Sequence, residues 1–464
     1  MIQTITDFKH PHFIGIAGTG MSAIAQYLQG IGMQVTGSDR YFDQGTALDI
    51  QHKIQATGIL CYPQDGTGIT PLTDVVICST AIEDTVPEVV QAKALNIPVI
   101  HRSTALTLIA NSKKTIAIGG TSGKSTTCAM LYTILEQAGM QPSIISGAGL
   151  VQLIQQGLIG NAYVGKGDWL IIEADESDGS IVQYKPAVGV LLNMDKDHKE
   201  MEVLLELFTK FRQHSSHFIV NQSHPLASQL STNTAHDYSI TQAQAGTVAS
   251  NYSTHAFTIQ YSIQDVPFTI PSIGRHTMEN ACAATAVAVY CGATLTQCSQ
   301  ALATYQGIYR RHQIIGCKHG VWLIDDYAHN PVKCAASIAA CQPLSTHIIA
   351  WFQPHGYGPT KFLKDEFVHE ISAVLRPTDA VWMSEIYYAG GTATKDISAN
   401  DLIIGIQANG KAATFIPNRK DLVAHLKAYM ATLALPTHAT VVLLLMGARD
   451  PSLESFAQEV WAGL

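Results

Sequence analysis

The chemistry of this chain centres on a glycine turn followed by lysine and serine, in the stretch IAIGGTSGKSTT at residues 116–127. An apolar run enters the turn and a helical pattern leaves it. Backbone N–H groups at such a helix start aim at an anion, and the helix dipole favours negative charge there. Lys124 is placed for the β- and γ-phosphates of a nucleotide, and the Ser125 hydroxyl for Mg2+. The turn is shorter than the common G-x-x-x-x-G-K-[ST] loop: position 118 is Ile118, and the glycines are Gly119, Gly120 and Gly123. A tight turn that binds nothing is the plainer alternative. The strand, the Gly-Lys-Ser and the helix together argue against it.

Carboxylates that could serve a metal–nucleotide complex follow at strand ends. LIIEADESDGS (170–180) puts Glu173, Asp175, Glu176 and Asp178 at the carboxyl end of an apolar strand, where ligands bind in open α/β sheets. NMDKDHKE (193–200) brings Asn193, Asp197 and His198 to the same edge. Acidic surface clusters are common, and a lone histidine after a strand is more often a cap or a core residue. Three successive strands ending in such groups are a much rarer coincidence. A second glycine turn lies in GIAGTGMSAIA (15–25), where Gly15, Gly18 and Gly20 suit a pyrophosphate. In the competing dinucleotide reading Asp39 ends the second strand as a ribose ligand. The spacing G-x-x-G-x-G departs from the G-x-G-x-x-G fingerprint of that class.

These groups need a scaffold, and the pattern supplies α/β units. Apolar strands at 12–18, 33–39, 74–80 and 97–103 alternate with helices such as 21–32, which implies a parallel sheet. NSKK (111–114) is a polar break. A second unit carries strands at 115–120, 168–175 and 187–194, then FTIQYSI (257–263) and VPFTI (266–270), whose alternation marks an antiparallel sheet with one wet face. A third unit holds strands at 320–325, 346–352, 379–385, 412–417 and 440–447. The 464 residues suit two to four domains, and 47% apolar with 14% charged residues indicates well-buried sheets. A formal charge of −8 gives no electrostatic case for nucleic acid. The start lacks a secretory pattern and the apolar runs are too short to span a bilayer. Nine scattered cysteines without a CxxC pair read as free thiols, Cys282, Cys291 and Cys298 among them, in a reduced, cytoplasmic protein.

Taken in order, the motifs resemble the Mur ligase family, the ATP-dependent amide ligases of peptidoglycan precursor synthesis. The family loop G-[TS]-x-G-K-[ST]-[ST] is matched by GTSGKST (120–126). The resemblance runs on through the acidic strand end, the pair Asp197-His198, GRHTMENACAA (274–284), YRRH (309–312), DDYAHNP (325–331) and MGARD (446–450). The N-terminal turn and ICSTAI (77–82) resemble the UDP-binding domain of the alanine-adding and murein-peptide-recycling members.

The resemblance implies a three-domain α/β architecture. A Rossmann-like UDP-binding domain would occupy 1–112, a central P-loop ATPase domain with an extra antiparallel sheet 113–313, and a Rossmann-like amino-acid-binding domain 314–464, with a hinge at 306–316. The implied reaction joins L-alanine to the carboxylate of UDP-N-acetylmuramate through an acyl phosphate. The alternatives are addition of the tripeptide L-Ala-γ-D-Glu-meso-diaminopimelate or, outside the family, an NAD-dependent dehydrogenase. By family position the nucleotide cradle is Gly120, Thr121, Ser122, Gly123, Lys124, Ser125 and Thr126, with Asn280 on adenine, Arg311 on the γ-phosphate and Asp326 on ribose. Mg2+ falls to Ser125, Glu173 and His198; Gly18, Thr19, Gly20, Met21, Asp39 and Ser79 fall to the UDP substrate, and His329 and His355 to the incoming amino acid. The implied partners are ATP, Mg2+, UDP-N-acetylmuramate and an amino acid or short peptide, with no nucleic acid or membrane insertion, in a monomer or weak homodimer.

The chain departs from the alanine-adding pattern in three places. Ser122 replaces a histidine, Thr277 stands where the adenine motif has Asn, and QPHGYGP (353–359) has Gly356 and Pro359 where arginines are expected. A lost guanidinium removes a bidentate carboxylate clamp, which leaves the added amino acid open. His355, Tyr357 and Lys361 are the candidate replacements.

Overall fold

Short, continuous apolar runs build the sheets, because parallel strands covered on both faces have no solvent side to alternate with. The structure, a computed structural model, describes residues 2–79, 82–195, 200–241, 244–388, 394–433, 439–448, 450 and 452–464. The chain divides into two compact units. One holds Met1–Ser253, Ile259–Pro271 and Arg275–Ile308; the other holds Thr254–Thr258, Ser272–Gly274 and Tyr309–Leu464.

In the first unit β1 (Pro11–Ile14), β2 (Thr36–Ser38), β3 (Leu60–Tyr62), β4 (Val75–Cys78) and β5 (Val99–His101) form a parallel sheet in the order β3-β2-β1-β4-β5. The chain reverses its winding between β1 and β4, so the crevice beyond their carboxyl ends is a ligand position. The helix after β1 spans Thr19–Gly30, two residues earlier at both ends than the apolar pattern indicates. Gly18 supplies its N-cap, and the chain leaves the helix at Gly32, whose N–H donates to the Gln29 carbonyl.

The second sheet holds β6 (Lys114–Gly119), β7 (Ser143–Ile145), β8 (Ala162–Tyr163), β9 (Trp169–Glu173), β10 (Val188–Leu191) and β11 (His217–Val220), in the order β11-β10-β6-β9-β7-β8. Only the β7–β8 pair is antiparallel. β6 lies between β10 and β9, so the phosphate turn, Glu173 and Asn193 emerge side by side. The helix Lys124–Gln137 is buried along most of its length and packs on the Ala-rich helix Arg275–Tyr290, whose small side chains permit close approach. An extra sheet follows, β12 (Tyr238–Ser239), β13 (Thr247–His255), β14 (Thr258–Ile263) and β15 (Val266–Ile270). β14 and β15 form a hairpin turned at Gln264 and Asp265, both with positive φ, and their alternate residues Ile259, Tyr261, Ile263, Phe268 and Ile270 are buried. The two strands expected at 257–263 and 266–270 thus pair antiparallel, and the short β12 joins β13 in parallel.

The first two sheets share a hydrophobic core in which Phe13 and Ile24 join Ile172, Phe208 and Phe211. A buried amide crosses between them: Asn161 Nδ2 donates to the Thr19 carbonyl (2.7 Å) and to Ser22 Oγ (2.9 Å), and its Oδ1 accepts from Gln26 Nε2 (2.8 Å).

The second unit carries β16 (Gln313–Lys318), β17 (Val321–Asp326), β18 (His347–Gln353), β19 (Ala380–Met383), β20 (Ala412–Phe415) and β21 (Val441–Gly447), in the order β16-β17-β21-β18-β19-β20. All pairs but β16–β17 are parallel. Alternate residues serve two cores: Ala350 and Phe352 face one, Ile349 and Trp351 the other.

His12, in β1, is fully buried with Nδ1 2.8 Å from Thr36 Oγ1, and desolvation lowers its pKa to about 4. An unfolded imidazole takes its proton near pH 6.5. Between those values the unfolded chain binds more protons, so stability falls as pH falls through the window. The expected loss from this one group is about 3 kcal/mol between pH 6.5 and 4. Urea unfolding of the parent and of a His12→Gln variant, at neutral pH and near pH 4, should show that only the parent has this component; parallel profiles would assign it elsewhere.

Candidate active site

The first-unit turn between Ile14 and Thr19 is held from behind. Gly15 N–H (2.8 Å) and Ile16 N–H (3.0 Å) donate to the Ser38 carbonyl. Ser38 Oγ in turn donates to Glu88 Oε1 at 2.6 Å, and Glu88 is fully buried, which raises its pKa. Asp39 completes the brace: Oδ2 accepts from Ala17 N–H (2.9 Å) and Oδ1 from Tyr41 N–H (3.0 Å). Burial is the main cause that pushes the Asp39 pKa up. Its carboxylate is thus bound to the backbone of the turn, which makes it a positioning group in this geometry. Gly18 and Thr19 are exposed at the open helix end, Gly20 is half-buried, and Met21 turns into the core. Ser79 follows β4 and its carbonyl accepts from Ile82 N–H, so it stands across the same crevice from the glycine turn. A Cβ on Gly20 would lie 2.8 Å from Arg102 Nη1. Arg102 therefore sets a guanidinium over the helix start, a group that the motif analysis missed. Its signal was its place directly after β5, the same strand-end rule that picked out Glu173.

The central turn is braced by asparagines. Asn193 Oδ1 accepts from Thr121 Oγ1 and Ser122 N–H, both at 2.9 Å, and its Nδ2 donates to the Ser122 carbonyl (3.1 Å) and Oγ (3.0 Å). Gly123 has φ 83, and a Cβ there would meet Asn280 Oδ1 at 2.4 Å. Only glycine satisfies both conditions. Asn280 is buried against the turn, with Thr127 Oγ1 3.4 Å from its Oδ1. Ser125 is buried in the first helical turn and Thr126 is partly exposed. Lys124 Nζ donates to the Gly120 carbonyl (2.7 Å) and to Glu176 Oε2 (2.8 Å).

Glu173 Oε1 accepts from Ser146 Oγ (2.8 Å) and Gly147 N–H (2.7 Å), which fixes its carboxylate beside β6. Asp197 and His198 lie outside the described residues. Mg2+ takes hard oxygen ligands, commonly one or two carboxylates with substrate phosphates and waters. The Ser125 hydroxyl and the oriented Glu173 carboxylate are of that kind, so the donor set fits.

In the second unit the two adjacent arginines differ. Arg310 is buried, with Nε 3.1 Å from Asp325 Oδ2 and Nη2 donating to the Gly447 carbonyl at 2.8 Å. Arg311 is exposed. Asp326 accepts from His312 N–H (2.7 Å) and Ala328 N–H (2.8 Å), so it ties the RRH turn to the loop after β17. The helix Pro331–Cys341 is capped by Asn330, whose Oδ1 accepts from Lys333 N–H at 2.8 Å.

The rings of His329 and His355 lie 5.8 Å apart. They line a cavity of about 100 Å³ with Phe352, Pro359, Leu363 and Phe367. Gly356 has φ 72, a backbone conformation that strains any side chain. Lys361 pairs with Asp396 on the surface, away from the clamp role considered for it. Arg419 brings a guanidinium to this loop, with Nη1 donating to Gln353 Oε1 (3.1 Å) and Asp450 Oδ2 (2.6 Å). Among the described residues, no helix is long and apolar enough to cross a membrane.

Three family models cover the chain in register with these sites. They are the Mur ligase family catalytic domain at residues 10–114, the Mur ligase middle domain at 118–288, and the Mur ligase glutamate ligase domain at 310–454. The UDP-N-acetylmuramate–L-alanine ligase of Pelotomaculum thermopropionicum is 31% identical over 95% of this chain and 95% of its own length. The chain belongs to the Mur ligase family. The enzyme of the same name from Acaryochloris marina is 32% identical over 95% of this chain and 92% of its own. The fold likewise matches crystal structures of Mur ligases. UDP-N-acetylmuramate–alanine ligase from Thermotoga maritima has TM-score 0.76 at 22% identity, covering 98% of this chain and 100% of that one. A murein peptide ligase from Psychrobacter arcticus has TM-score 0.64 at 19% identity, covering 98% of each chain.

The two arginines separate in a stability assay. Arg310→Ala strands buried Asp325 and should cost about 3–5 kcal/mol, whereas Arg311→Ala should stay within about 0.5 kcal/mol of the parent in urea unfolding. Equal losses would contradict the buried-pair assignment.

Proposed function

We propose that this Mur ligase joins L-alanine to the carboxylate of UDP-N-acetylmuramate with hydrolysis of ATP to ADP and phosphate, in the cytoplasm. The observation that carries this reading is the pair of braced glycine turns in one compact unit, each opening a helix: Gly15–Gly20 after β1 and Gly120–Gly123 after β6. A dehydrogenase has use for only one of them. The full-length similarity to alanine-adding ligases supports the choice of reaction.

In this reading 1–112 bind the UDP moiety, 113–313 bind ATP and 314–464 receive the amino acid. The first turn, with Thr19, Gly20 and Ser79, receives the pyrophosphate side of the substrate, and Asp39 holds the turn in shape. The second turn offers its N–H groups to the ATP phosphates, Lys124 to the β- and γ-phosphates and Asn280 to the nucleotide edge of the turn. By family position Arg311 and Asp326 are the candidates for the γ-phosphate and the ribose. Ser125, Glu173 and His198 would hold Mg2+, which supplies charge neutralisation at the phosphates.

The substrate carboxylate oxygen attacks the γ-phosphorus, the bond to the bridging oxygen breaks, and ADP leaves an acyl phosphate. The amine then attacks the acyl carbon, phosphate departs, and the nitrogen gives up a proton to an imidazole at the His329–His355 cavity. Phosphoryl transfer depends mainly on positioning and electrostatics, which accords with a site rich in amides and cations. The apolar cavity of about 100 Å³ suits a methyl side chain better than a tripeptide.

Phosphate release from Mg2+–ATP and UDP-N-acetylmuramate, measured across a panel of amino acids and the murein tripeptide, checks this. L-alanine should be the productive acceptor, and Lys124→Ala should lower turnover at least about a hundredfold. Release with the tripeptide alone would make the chain a recycling ligase, and release with neither would refute the amide-ligase reading.

A further inference from the structure

One short acidic loop pairs with two cations, one in the central phosphate turn and one beside the first. Glu176 accepts from Lys124 Nζ at 2.8 Å. Two residues on, Asp178 Oδ2 lies 3.8 Å from Arg102 Nη2, the guanidinium poised over Gly20. The loop is tight. Ser177 N–H donates to Asp175 Oδ1 (3.0 Å), Gly179 N–H to the Glu176 carbonyl (3.2 Å), and Ser180 N–H to Asp178 Oδ1 (2.9 Å). Movement of Glu176 is therefore felt at Asp178. All four charged side chains belong to the first compact unit.

We propose that Arg102 is a pyrophosphate-binding residue of the N-terminal site and that the Glu176–Asp178 loop couples it to the ATP site. This rests on the functional reading above. A pyrophosphate at Gly18–Gly20 competes with Asp178 for Arg102, and nucleotide phosphates compete with Glu176 for Lys124. Each exchange removes one of the loop's two ionic tethers and weakens the other, so either ligand favours the second. Side-chain exposure sets the relative strengths: 15% and 7% for Lys124 and Glu176, against 36% and 25% for Arg102 and Asp178. The outer tether is the weaker one, so the effect should be plainest in UDP affinity, and by linkage the factor must be the same for both ligands.

Calorimetric titration of the full chain with UDP, with and without Mg2+ and the non-hydrolysable analogue AMP-PNP, tests this. AMP-PNP should tighten UDP about fivefold or more, and UDP should tighten AMP-PNP by the same factor. Asp178→Asn should tighten UDP alone and bring the factor close to one, with AMP-PNP binding reporting an intact fold. Glu176→Gln reads the same coupling from the inner tether. Arg102→Ala should weaken UDP about tenfold or more, and Arg102→Lys should recover part of this, since a point charge replaces a bidentate fork. An unchanged factor in Asp178→Asn and Glu176→Gln would overturn the coupling while leaving the ligase reading intact. Failure of UDP to bind the parent would overturn both.

Discussion

A phosphate held by backbone N–H groups is bound only as well as those groups are aimed, because water competes for it at every angle but the right one. Both glycine turns in this chain are flexible by composition and rigid by bracing. Asp39 and the Ser38–Glu88 pair fix the first, while Asn193 and Asn280 fix the second. The braces are short polar side chains, buried or partly buried, and their hydrogen bonds gain strength from the low local dielectric. Much of the polar chemistry of the first unit serves to aim peptide groups.

The same economy governs charge. The chain has few ionisable residues for its length, and many of those at the site face a partner already within reach. Lys124 rests on Glu176, Arg310 on Asp325 and Arg419 on Asp450. A buried cation so paired costs less to desolvate. Arg310 and Arg419 keep their partners as structural links at the carboxyl ends of β17, β18 and β21. In the proposed reading Lys124 differs, exchanging Glu176 for a nucleotide phosphate.

Much of this was legible in sequence because strand-end chemistry follows from topology. Parallel sheets put their carboxyl ends on one edge, so the stretches after β6, β9 and β10 could be grouped from the sequence. Buried apolar strands and the alternating β14–β15 hairpin were visible for the same reason: burial on two faces or one leaves a direct mark on composition. Partner choice was not legible. Nothing local distinguishes Arg310, folded in on Asp325, from exposed Arg311, and the place of Arg102 after β5 marks a strand-end group without naming the turn it reaches. Asn161 likewise takes its role from an element that only folding brings beside it. Gly356 was noted in sequence as standing where an arginine is expected, whereas its positive φ became visible only in three dimensions.

The chemistry is tested most directly by following a heavy-oxygen label from the carboxylate of UDP-N-acetylmuramate during a single turnover with Mg2+–ATP and L-alanine. Attack of that carboxylate on the γ-phosphorus predicts one labelled oxygen in each phosphate released, and mass spectrometry of the phosphate reads it. Unlabelled phosphate accompanying amide formation would mean that the carboxylate never became an acyl phosphate, and the assignment of the two turns to one reaction would fall with it.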